Sequence, residues 1–166
     1  IVQGVHKERS ETVRCAYLEP GRQDGGSDCL VAKHWAGHSN RVKDMRLHAD
    51  ERSVAGTAFL EGEEIYLDHA LDDHRMQATA SGRPIGSIVC IPVGHAQPGG
   101  GQRGVLSVSS NLEEAFVEAD LRFIRGCAGL IGLVESLETA AMEFLAQGAD
   151  DHLQGEATGG TKTLGD

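Results

Sequence analysis

The sequence predicts an α+β domain: an antiparallel β-sheet with a long C-terminal helix on one face and loops and short helices on the other. Two observations carry that prediction. Two pairs of short, β-branched apolar runs are each joined by a glycine-rich turn, and one long amphipathic stretch follows them. The 166 residues suit one domain that buries a single core without disulfide staples.

The first pair is "TVRCAYLE" (12–19) and "CLVAKHWAG" (29–37), joined by the turn-forming "PGRQDGGSD", and it predicts a β-hairpin. Residues 38–58 are mixed and polar; a short helix is expected near "NRVKDMRLHADE" and a small-residue turn at Ala55-Gly56-Thr57-Ala58. "EEIYLDH" (63–69) offers a short strand, and "ALDDHRMQATASG" starts as a helix before Gly82 and Pro84 break it. The second hairpin pairs "GSIVCIPVG" (86–94) with "RGVLSVSS" (103–110) through the loop "HAQPGGGQ". Residues 111–147 hold the long helix, with Asp120 at its start and Gly148 as its expected end. The expected domain is therefore 1–147, with 148–166 a flexible tail that has little to bury.

Lys plus Arg number 15 against 25 Asp plus Glu, a formal charge of -10, so a polyanion is repelled and nucleic acid is not expected as a partner. No apolar run approaches the ~20 residues that span a bilayer, so no membrane partner is expected either. Cys15, Cys29, Cys90 and Cys127 stand singly, with no C-x-x-C pair, which argues against a zinc knuckle or a disulfide ladder. A cytoplasmic location fits that usage. The chain opens on Ile1, and a module from a longer parent protein is expected.

Strand alternation assigns two faces. Val89, Ile91 and Val93 share one side with Leu106 and Val108, an apolar surface for the helix to cover. Ile88, Cys90, Val105, Ser107 and Ser109 lie on the other, half apolar and half hydroxyl, the composition a small-molecule pocket needs.

The order of these pieces resembles a GAF domain, the small-molecule sensing module of histidine kinases, cyclic-nucleotide phosphodiesterases, phytochromes and transcription regulators. The resemblance spans roughly residues 12–140. It rests on Gly56 before an expected strand, Asp68 with Asp72, Asp73 and Arg75, the strand Ser87–Pro92 closing on Ile-Pro, Gly104-Val105-Leu106, and Phe116 with Asp120 and Leu121. It implies a GAF-like central sheet whose mixed face is roofed by residues 38–80 to form a ligand cavity. The candidate ligand-binding residues are Trp35, Phe59, Asp68, His69, His74 and Arg75 around the entrance, with Ile88, Cys90, Ser107 and Ser109 on the floor.

One catalytic branch of that family, the free methionine sulfoxide reductases, has a turn similar to Gly56-Thr57-Ala58. Its chemistry needs a thiolate nucleophile and a resolving thiol. Ala55 stands where the branch carries one cysteine, the loop 72–80 has none, and Ile88, Ser107 and Ser109 occupy its acidic positions. Cyclic-nucleotide binding is weakened by Leu112 and Leu121 in place of Lys and Glu, and bilin attachment lacks its Cys-His pair. His34 and His38 lie about 13 Å apart if both are on a strand, a poor metal pair. His69 and His74 are simplest as solvated loop residues. No catalysis, no metal and no identified cofactor are expected.

Along the helix Phe123, Leu130, Leu137 and Phe144 recur every seven residues, with Cys127, Val134 and Ala141 four behind the first three, an a/d seam. A second line through Ile124, Ala128, Ile131 and Leu145 is expected to face the sheet. Two apolar sides on one helix imply a homodimer through the seam. The expectation is a non-catalytic sensory GAF-like module that binds an unidentified small molecule, dimerises and signals to an output domain in its parent chain. A reductase-like enzyme and a pure dimerisation module are the alternatives.

Overall fold

The computed structural model describes residues 13–22, 28–76, 84–94 and 103–157, with side chains in the last helix described as far as residue 146. Six strands form one antiparallel sheet in the order β3-β2-β1-β6-β5-β4. They are β1 (Val13–Arg22), β2 (Asp28–Ala36), β3 (Arg46–His48), β4 (Ile65–Leu67), β5 (Ser87–Val93) and β6 (Gly104–Ser110). Helix α1 (Val54–Glu61) lies against one face and helix α2 (Glu118–Ala157) against the other. This is the α+β architecture expected from the two hairpins.

The register makes the two faces explicit. Cys15, Val108, Val89 and Tyr66 align across four strands and belong to the core that packs α2. One step along, Ala16, Ser107, Cys90 and Ile65 align and point the other way. On the α2 side Leu121, Ile124 and Ala128 close the core with Phe116, whose ring meets Tyr66 edge-on at 6.2 Å. The sheet faces therefore divide as the alternation predicts.

Four local expectations are corrected. The small-residue turn at 55–58 is the middle of α1, and Gly56 is inside that helix rather than before a strand. Ser53 caps it: its hydroxyl accepts from the Gly56 amide at 2.8 Å and donates to the His48 carbonyl at 2.6 Å. Gly62, at φ 71, ends it in the left-handed conformation. The helix expected near residues 40–51 is only a 3-10 turn, Asn40–Asp44, followed by β3. Finally, α2 passes through Gly148 to Ala157, because one glycine costs about 1 kcal/mol and does not by itself end a long helix. Leu145 is exposed and does not face the sheet. The turn residues 23–27 and the loop 95–102 lie outside the described residues, as do 158–166 of the expected tail.

Asp120 acts as expected at the start of α2, where its carboxylate accepts from the Val117 amide at 3.0 Å. Gly56 is required by close approach, since a Cβ there would run into the backbone carbonyls of His48 and Asp50. Gly129, by contrast, has open space around it. Gly56→Ala is therefore expected to destabilise the domain by about 2–3 kcal/mol, and Gly129→Ala to stabilise it by about 1 kcal/mol, in urea unfolding.

Candidate ligand-binding site

A cavity of about 80 Å³ lies on the sheet face opposite α2. Its floor comes from three adjacent strands: Ala16 and Leu18 of β1, Ser107 and Ser109 of β6, and Ile88 of β5. The segment after β2 crosses over this floor, bringing His38, Ser39, Val42 and Met45, then Leu47 of β3. The start of α1 adds Ser53, Val54 and Ala55, and Arg75, Met76 and Ile85 complete the wall.

The roof holds its place through ordinary local chemistry. Gly37, at φ 75, turns the chain out of β2, with Val13 and Arg14 so close that no side chain fits there. Val42, buried in the 3-10 turn, anchors the crossing segment. The Ser53 cap then pins the first turn of α1 against the carbonyl of His48.

The wall is mainly apolar, with six polar side chains. The Ser53 hydroxyl is occupied by the two bonds of the α1 cap. His38 is held neutral: burial, and then the positive charge of Arg14, lower its pKa to about 4. Arg14, a buried residue of β1, donates to Asn111 Oδ1 at 2.7 Å. Arg75 donates from Nε and Nη2 to the two oxygens of Asp73, at 2.9 and 2.6 Å. That fork, with the Arg75 amide at 2.8 Å, draws the Asp73 pKa down to about 2. No carboxylate stands among the described lining residues.

Four of the sequence-predicted ligand residues meet in this cavity: Arg75, Ile88, Ser107 and Ser109. Cys90 lies beneath them, fully buried, its thiol 3.7 Å from the Ser107 hydroxyl and its pKa pushed up to about 12 by burial. Trp35 and Phe59 pack against the core on this face without reaching the cavity wall. Asp68 and His69 are exposed at the sheet edge, where the His69 ring nitrogens sit 3.1 Å from Glu113 and 3.3 Å from Glu114. His74 is 90% exposed and outside the site. Of the expected entrance residues only Arg75 is among the described lining residues, and the segment His38 to Leu47 lies within the expected roof of residues 38–80, although none of its side chains was singled out as a ligand contact. The burial pattern of Val42 within a polar segment was the one signal for them.

No group of three His, Cys, Asp or Glu side chains is placed to hold a metal among the described residues. His34 and His38 do not meet, since His34 lines a groove beside α2 and His38 the cavity. The four cysteines are unpaired thiols, three of them buried. No helix among the described residues is long and apolar enough to cross a membrane.

Solved structures share this fold at low sequence identity. A type II free methionine-R-sulfoxide reductase from Thermoplasma acidophilum aligns with a TM-score of 0.59 at 14% identity, over 79% of this chain and 84% of that one. The GAF domain of a phosphoenolpyruvate-protein phosphotransferase from Coxiella burnetii gives 0.60 at 17% identity, over 77% and 75%. A domain from a protein assigned as a two-component sensor histidine kinase of Sinorhizobium meliloti 1021 gives 0.55 at 16%, over 88% and 89%. Comparison with curated proteins gives no match. A family model described as GAF domain matches residues 7–134, most of the chain and all of the six strands and the cavity lining, and by that match this chain belongs to the GAF domain family.

Proposed function

We propose that this chain is a non-catalytic sensory GAF domain that holds a small molecule in the cavity between its sheet and α1 and dimerises through α2, within a longer signal-transduction protein. The observation that carries this reading is the cavity itself, which is roofed, mainly apolar and furnished with a few hydrogen-bonding groups but no activated nucleophile. The reductase alternative draws on the Thermoplasma neighbour. Against it stands the thiol nearest the cavity, Cys90, which burial keeps protonated, with no second cysteine beside it to resolve an adduct.

Dimerisation draws on the exposed side of α2. Leu130, Val134, Leu137 and Phe144 are 65, 53, 61 and 76% exposed, and Phe123 and Ala141 extend the same seam. Cys127 leans inward and packs partly on the core, so the seam and the core share the first turns of the helix. A continuous apolar stripe of this length on one chain is best covered by a second copy. The parent chain would then receive a change in cavity occupancy as a change in α2 packing.

Native mass spectrometry of freshly purified protein is expected to show a dimer with a small molecule bound. Ser107→Leu, which projects a branched chain into the hollow, is expected to release that molecule and leave the dimer. Val134→Asp with Leu137→Asp is expected to halve the mass measured by light scattering, to the 17.6 kDa monomer, with the fold intact by circular dichroism. His38 gives a pH signature. The unfolded chain binds a proton near 6.5 that the folded one refuses until about 4, so stability is full above 6.5 and falls as pH drops from 6.5 toward 4. His38→Gln is expected to flatten that part of the profile in thermal melts.

A further inference from the structure

The charges around the cavity narrow the ligand class, if the cavity is a binding site as proposed above. Arg75 lies in the wall and its side chain is 19% exposed, so it borders the hollow and is also reached by solvent. Asp73 occupies Nε and Nη2 of that guanidinium, and no hydrogen bond engages Nη1 among the described residues. Arginine has five donors, so a second acceptor can be held beside the first. At the other end, the positive charge of Arg14 is felt at His38. No carboxylate stands among the described lining residues, so an ammonium group inside the hollow would find no anionic partner there.

Size restricts the ligand further. An engineered cavity of about 150 Å³ in another protein holds benzene. The 80 Å³ here is about half of that and leaves room for an apolar tail of only about three carbons. Leu18, Val42, Met45, Val54 and Ile88 supply an apolar lining for such a tail. Ser107 and Ser109 add hydroxyls on the floor.

We infer that the cavity binds a short-chain monocarboxylate, its carboxylate on Arg75 and its tail among the aliphatic side chains beneath the α1 roof. A neutral alcohol of the same length would fill the hollow but leave Nη1 without its acceptor. A dicarboxylate would force a second charge among apolar side chains, at a desolvation cost that nothing in the wall offsets.

The test uses the whole chain near neutral pH and three four-carbon probes of different charge, butyrate, butan-1-ol and butylamine, followed by amide NMR titration. Butyrate is expected to shift the amides of Ile88, Ser107 and Ser109 saturably, butan-1-ol to bind at least tenfold more weakly, and butylamine to leave them unmoved. Removing Arg75 alone would strand Asp73, so the informative variant is Arg75→Gln with Asp73→Asn, which deletes both charges. It is expected to weaken butyrate at least tenfold and leave butan-1-ol unchanged. A variant that melts early is replaced by Arg75→Lys, which keeps the charge but loses the fork and should weaken butyrate less than tenfold.

Butan-1-ol or butylamine matching butyrate, or butyrate indifferent to the double substitution, overturns the ligand class while leaving the cavity a binding site. A neutral or amine metabolite co-purifying in native mass spectra does the same. No shift with any probe, together with an empty cavity in native spectra, overturns both this inference and the sensory function it rests on.

Discussion

The register that places β6 between β1 and β5 is the constraint on which the rest of this structure depends. Along β6, Leu106 and Val108 are committed to the α2 core, while Val105, Ser107 and Ser109 are committed to the cavity side. Both neighbouring strands must agree with that division, and they do, with Cys15 and Val89 opposite Val108 and with Ala16 and Cys90 opposite Ser107. A slip of one residue would bury the serines under α2 and turn the aliphatic row toward the cavity. Gly104 helps to set the register, since a Cβ there would collide with the Leu18 carbonyl and the Tyr17 ring.

From that sheet the two faces take on different work. The α2 face is a packed apolar core, in which Ile124 is fully buried and Phe116 reaches back over Tyr66. Among the described residues the other face is covered by the eight-residue α1, an irregular crossing segment and the stretch that brings Arg75, Met76 and Ile85, and a hollow remains where they meet. Short elements cannot interdigitate with a sheet as closely as a long helix can. The same limit that leaves space there also brings His38, Arg75 and the serines to its edges.

The two faces are tied at one end of the sheet. The segment leading into α2 is held by Arg14 on Asn111, by the Ser87 hydroxyl on the Leu112 carbonyl at 2.8 Å, and by the Glu114 amide on the Asp68 carbonyl at 2.9 Å. Gly86 presses against Leu112 and Glu113 so closely that a Cβ there would meet their backbone. Residues of the cavity side and the start of the long helix thus share one packed corner. Arg14 belongs to both, since it bonds Asn111 before α2 and lowers the basicity of His38 in the cavity wall.

Hairpins, faces and the long helix were legible in the amino-acid order, because strand alternation and helical periodicity are local patterns that each residue reports for itself. Ile88, Ser107 and Ser109 could be put on the cavity face for that reason. Helix α1 was misread although its start at Ser53 and stop at Gly62 were present, because its small residues carry almost no periodic signal. Only the tertiary structure decided which side chains of the expected 38–80 roof line the cavity, His38, Met45 and Ala55 among them, and that Asp68, His69 and His74 do not. Those contacts join segments distant in the chain, and their positions follow from how the crossing segment packs on the sheet, which no single stretch of residues encodes.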